Sequence, residues 1–137
     1  MNVINTISAT LFYVRDFEAS LKFYRDTLGF TAHDGTEDFM AFTVGDKTLA
    51  ILDINSVAKM ISEETVQPAV TNAPPRFLMA VFLEDTDKAY EELKAKGVHF
   101  VKPPTTQPWG QRTAYFNDPD GNIWEISHFP KAETKTE

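Results

Sequence analysis

At 137 residues, with 42% apolar and 24% charged side chains, the chain has the size and balance of one globular domain. A formal net charge of −7 argues against nucleic acid, whose phosphates demand a basic footprint. The absence of cysteine excludes disulfides, thiolate metal sites and thiol nucleophiles, and no apolar run reaches the length of a membrane span. The N-terminal stretch MNVINTISATLF lacks the charged-then-apolar order of a secretory signal, so the cytoplasm is the expected setting. Eleven phenylalanines are available to fill a core or to line a pocket for an organic ligand.

The first predicted element is a strand, Ile7 to Val14, rich in β-branched and aromatic residues. Asp16 then offers a carboxylate to the free amides of a helix whose apolar residues Phe17, Leu21, Tyr24 and Leu28 recur on one face. Gly29 stops that helix, since the position after a helix favours a residue that tolerates positive φ. Met40 to Val44 and Thr48 to Ile54 follow as two strands joined through Gly45-Asp46-Lys47. Residues 55–76, with Gln67-Pro68 and Ala73-Pro74-Pro75, read as a linker in which Ser56 to Glu64 is a candidate short helix.

The pattern then repeats. Phe77 to Leu83 is an apolar strand, Asp85 caps a helix running through Lys94, Gly97 ends it, and Val98 to Val101 is extended. Thr113 to Asn117 and Ile123 to Phe129 form a closing hairpin around Asp118-Pro119-Asp120-Gly121-Asn122. Strand, acidic cap, helix and glycine stop recur in the same order, which reads as an internal duplication. The expected organisation is one domain over residues 1–137, with module one at 6–54, a linker at 55–76, module two at 77–129 and a polar tail at 130–137.

Leu11-Phe12-Tyr13-Val14-Arg15-Asp16, running into Ser20-Leu21-Lys22-Phe23-Tyr24 and Leu28-Gly29-Phe30, resembles the opening of the vicinal-oxygen-chelate superfamily of glyoxalases, bleomycin-resistance proteins and extradiol dioxygenases. Asp118 to Asn122 followed by Glu125 resembles its closing hairpin, and Gln107-Pro108-Trp109-Gly110 resembles a segment of the bleomycin-resistance branch; the resemblance spans residues 6–129. It implies an α+β fold in which two βαβββ modules form an open, eight-stranded, barrel-like curved sheet with helices outside, commonly completed in a homodimer. Metal-using relatives place ligands on the first and last strands of each half. Here those positions fall at Ala9, at Asp53 by approximate alignment, at Leu78 and at Glu125, so no metal ligand set is expected and no cofactor is called for, with a divalent ion as the alternative. His33, His99 and His128 are read as solvated or structurally bonded, and His128 lies three residues beyond Glu125, on the opposite sheet face.

The expected ligand-binding residues are Trp109, Arg112, Tyr115, Phe42, Asp53, Phe82 and Glu125. Trp109 can stack on a planar or cationic ligand or plug the end of the barrel. Arg112 can bind an anionic substituent or pair with Glu125 or Asp53, and Tyr115 can offer a hydroxyl. Phe39 and Phe42 lie on a hairpin that borders the cavity in relatives, with core packing as the plainer reading. Glu125 shares a face with Ile123 and Ser127; Leu78 shares one with Ala80 and Phe82; Asp53 shares one with Leu49 and Ile51. The turn explains Asp118 and Asp120 better than catalysis does. The first functional expectation is a metal-free protein that sequesters a drug-like or metabolite ligand, as in antibiotic resistance. The alternative is a lyase, isomerase or dioxygenase-type enzyme using Glu125 as catalytic base. A regulatory or scaffold domain with a side-chain-filled interior is the third.

Overall fold

The computed structural model describes residues 3–131 and divides into two compact units, Met1–Ala73 and Pro74–Glu137. The polar tail read from the sequence lies, beyond residue 131, outside the described residues. The first unit contains β1 (Thr10–Val14), α1 (Phe17–Leu21), β2 (Thr31–Gly35), β3 (Phe39–Val44), β4 (Lys47–Asp53), α2 (Ile54–Met60) and α3 (Glu63–Val66). The second contains β5 (Leu78–Phe82), α4 (Thr86–Ala95), β6 (Phe100–Thr106), β7 (Arg112–Asn117) and β8 (Ile123–His128). This is an α+β protein with two four-stranded mixed sheets, ordered β1-β4-β3-β2 and β5-β8-β7-β6. In each, the first strand pairs parallel with the last and the remaining pairs are antiparallel, so the duplication read from the sequence is present in the pairing itself.

Local chemistry explains the elements. Asp16 and Asp85 cap α1 and α4, their carboxylates accepting from the amides of Ala19 and Lys88. Gly29 and Gly97 end the two helical segments at φ 78° and 89°, where a β-carbon would be strained. The first helix departs from the expected α-helix after Leu21: Lys22–Thr27 is π-helical, and the amides of Leu28 and Phe30 bond back to Phe23 and Tyr24. The wider turn carries Tyr24 fully inside, against Phe12, Phe23, Phe30 and Phe42. Within the linker, the helix expected over Ser56 to Glu64 is two short ones, broken at Ile61-Ser62 and capped by Asp53 and Ser62.

In the second unit α4 covers one sheet face. Phe100 meets Phe116 edge-on and Phe116 stacks on Trp124 there, with Tyr90 of α4 set 4.6 Å from Phe100 between ring centres. Each such ring is worth several kcal/mol, since Phe→Ala in a core costs about 3–5 kcal/mol. The opposite face therefore belongs to the alternate residues of each strand.

Candidate functional site

The face of the second sheet turned away from α4 gathers most of the polar chemistry. Strand pairing sets Ala80 beside Glu125, Glu125 beside Tyr115, and Tyr115 beside Lys102, forming one row across β5, β8, β7 and β6. Tyr115 donates its hydroxyl to Glu125 Oε2 at 2.7 Å. Burial, and then the bond to that carboxylate, raise the Tyr115 hydroxyl above its ordinary pKa, so it stays protonated and remains the donor. Flanking this row, Leu78 and Phe82 expose apolar surface, Phe82 at 76%.

A polar chain runs beside the pair. Gln107 Nε2 donates to Thr113 Oγ1, and Gln111 Nε2 donates to Ser127 Oγ, both at 2.9 Å. Thr113 and Ser127 are fully buried, so the two amides satisfy hydroxyls that would otherwise be costly. Trp109 donates its indole N–H to Gln111 Oε1 at 2.9 Å while its ring stays 64% exposed.

The remaining expected residues go elsewhere. Phe42 is completely buried on the side of the first sheet that meets Tyr24 and Phe30, the core packing named as its plainer reading. Asp53 pairs with Val14 on that same side, with Leu49 and Ile51, and its Oδ1 accepts from the Asn55 amide as the cap of α2. Arg112 makes a two-bond ion pair with Asp87, Nε to Oδ2 at 2.8 Å and Nη2 to Oδ1 at 2.7 Å, rather than with Glu125 or Asp53. That bond holds the Asp87 carboxyl below its ordinary pKa. Arg112 lies opposite His128 on the α4 side, where His128 Nδ1 accepts from the Thr86 amide at 3.0 Å. Asp118 is buried and accepts from the amides of Asp120 and Asn122, the turn role expected of it. The structure thus brings together Tyr115, Glu125 and Phe82 on one sheet face, with Trp109 tied through Gln111 to Ser127 beside them.

Register also corrects one position. Glu125 lies between Ala80 and Tyr115; its counterpart in the first sheet, lying between Leu11 and Ala41, is Ala50 and not Asp53. The alignment from the sequence missed this because the two modules have different lengths between helix and last strand. The positions that the resemblance to metal-using relatives implies are then Ala9, Leu78 and Glu125, with Ala50 as the register counterpart of Glu125. Three hydrocarbon side chains and one carboxylate do not suit a transition metal. Among the described residues there is no group of three or more His, Cys, Asp or Glu able to hold a metal ion.

Gln107, Gln111 and Lys102 are not among the residues expected from the sequence, whereas Ser127 is expected only as sharing a face with Glu125. The Gln-Pro-Trp-Gly segment carried a signal for the glutamines, whereas Lys102 is placed by irregular register that no sequence pattern announces.

Comparison with known proteins agrees with this architecture. The model of the Glyoxalase/Bleomycin resistance protein/Dioxygenase superfamily matches residues 6–126. An uncharacterized protein of Bacillus subtilis, YraH, is 34% identical over 116 residues, covering 82% of this chain and 90% of its own. A crystal structure of a glyoxalase/bleomycin resistance protein/dioxygenase from Nocardioides is 30% identical, with a TM-score of 0.81 over 100% of this chain and 91% of that one. A glyoxalase-related enzyme from Fulvimarina pelagi is 25% identical, with a TM-score of 0.74 over 91% of this chain and 88% of its own. No helix among the described residues is long and apolar enough to cross a membrane. The paired β-order, the duplicated caps and this match over nearly the whole chain make it a member of the glyoxalase/bleomycin resistance/dioxygenase superfamily.

Proposed function

We propose that the chain is a small-molecule-binding member of this superfamily, which receives a drug-like or metabolite ligand on the face of the second sheet turned away from α4, without a transition metal. The observation that carries this reading is the content of these four positions, Ala9, Ala50, Leu78 and Glu125, with the one carboxylate already accepting from Tyr115. Hydrocarbon at three of four positions favours an organic guest over a coordinated ion. The exposed ring of Trp109 and the exposed Leu78 and Phe82 supply apolar contact, and Glu125 supplies an acceptor for a cationic or N–H-bearing group. Leu11 and Tyr13 on the edge strand β1, and Leu78 and Phe82 on the edge strand β5, are also exposed, which supports a homodimer that covers part of them.

The experiment is metal analysis of protein purified without chelators, paired with titration of bleomycin and other cationic drugs against Trp fluorescence. Substoichiometric zinc, nickel, iron and manganese are expected, together with a saturable signal that Trp109→Phe removes, since Trp124 is buried against Phe116. One equivalent of a bound transition metal would defeat the reading.

One observation favours an enzymatic variant of the same site. A protonated phenol held 2.7 Å from a carboxylate is an arrangement able to orient a general base. Glu125→Gln distinguishes the two: turnover lost with binding retained would mark Glu125 as a catalytic residue.

A further inference from the structure

The two sheets offer an internal control. Their rows are equivalent by pairing, Leu11–Ala50–Ala41–Asp34 in the first and Ala80–Glu125–Tyr115–Lys102 in the second. The first sheet folds with alanines at the two central positions, both nearly fully buried. The fold itself therefore has no need of a carboxylate and a phenol there.

Lys102 reaches this row through a bulge. Phe100 pairs with Phe116 on the α4 side, so regular pairing would set Val101 beside Tyr115; one extra residue puts Lys102 there instead. The register shifts again before Thr105 pairs with Thr113. Among the described residues the Lys102 ammonium makes neither an ion pair nor a hydrogen bond, and the Glu125 carboxylate has the Tyr115 hydroxyl as its one hydrogen-bond partner. Adjacent strands lie about 4.8 Å apart, so the strands bearing Glu125 and Lys102 are separated by about 10 Å, with Tyr115 between them. A carboxylate and an ammonium carried on strands at that spacing, each lacking an opposite charge, suit the two ends of one small molecule.

Resting on the proposed binding function, we propose that this row selects an amphoteric ligand: its ammonium or N–H end meets Glu125, its carboxylate or phosphate end meets Lys102, and an apolar middle crosses Tyr115. Lys102 is then the specificity-determining residue for the anionic end, and Tyr115 keeps Glu125 fixed for the cationic one.

Three probes test this with the full chain: para-(aminomethyl)benzoate, its methyl ester, which lacks the anion, and para-methylbenzoate, which lacks the cation. Binding is read by calorimetry and by Trp109 fluorescence. The amphoteric probe is expected to bind about tenfold more tightly than either analogue, a modest gain for one charge-assisted contact. Lys102→Ala should abolish its advantage over the ester, and Glu125→Gln its advantage over para-methylbenzoate. Lys102 is exposed, so its substitution leaves the fold intact, and circular dichroism checks this for both variants. Equal affinities for all three probes, a Lys102→Ala variant that still prefers acid to ester, or no saturable binding of any probe by the unsubstituted protein each overturns the proposal. The metal analysis and drug titration decide the broader reading separately, so failure of one is distinguishable from failure of the other.

Discussion

Tyr115 and Glu125 face each other across β7 and β8, and their single bond of 2.7 Å carries a testable pH signature. The Tyr115 hydroxyl is raised above its ordinary value of 10.0, chiefly by burial and next by Glu125. A group whose folded pKa is raised contributes stability that is complete below the unfolded value and disappears as pH climbs through the folded one. Tyr115→Phe should therefore cost about 0.5–1.5 kcal/mol in urea unfolding at neutral pH, the net worth of a side-chain hydrogen bond. The gap between the two proteins should close in strongly alkaline solution. A gap that widens with alkali would contradict the arrangement. At this scale the sequence was informative where a residue's role is local, as for the turn acceptor Asp118. It was silent where the partner is remote: the pairing of Arg112 with Asp87 depends on α4 packing over β7, which no spacing in the chain reveals.

Elements were legible wherever their ends are written in side-chain chemistry. Asp16 and Asp85 announced two helices, and Gly29 and Gly97 closed them, because capping and positive φ are properties of single residues. Replacing Asp85 by Ala removes the acceptor for the Lys88 amide at 3.1 Å and should lower stability by about 1 kcal/mol. Thermal melts of this variant check that figure, and an unchanged midpoint would show the cap to be replaceable by water. Irregular geometry was not legible. The π-helical turn at Lys22–Thr27 follows from seating Tyr24 among Phe12, Phe30 and Phe42, a tertiary demand that overrides the spacing of the helix face. The bulges in β2 and β6 likewise move Asp34 and Lys102 to faces that simple alternation would not assign them.

Across the whole chain the duplication is the main organising fact, and it separates what the fold requires from what the site adds. Both repeats share strand order, pairing sense, cap and glycine stop, yet the centre of the row is Ala41 and Ala50 in one and Tyr115 and Glu125 in the other. If the polar pair serves ligand recognition, converting the second row to the first should cost the protein little. The double variant Tyr115→Ala with Glu125→Ala removes donor and acceptor together, so no buried polar group is orphaned, and the loss should stay below about 2 kcal/mol. Phe116→Ala, in the ring stack beneath α4, should cost about 3–5 kcal/mol in the same strand. Denaturant unfolding of the two variants beside the parent protein makes the comparison directly. A double variant as damaged as Phe116→Ala would mean that the pair holds the second sheet together, and that its departure from the alanines of the first repeat is structural rather than functional.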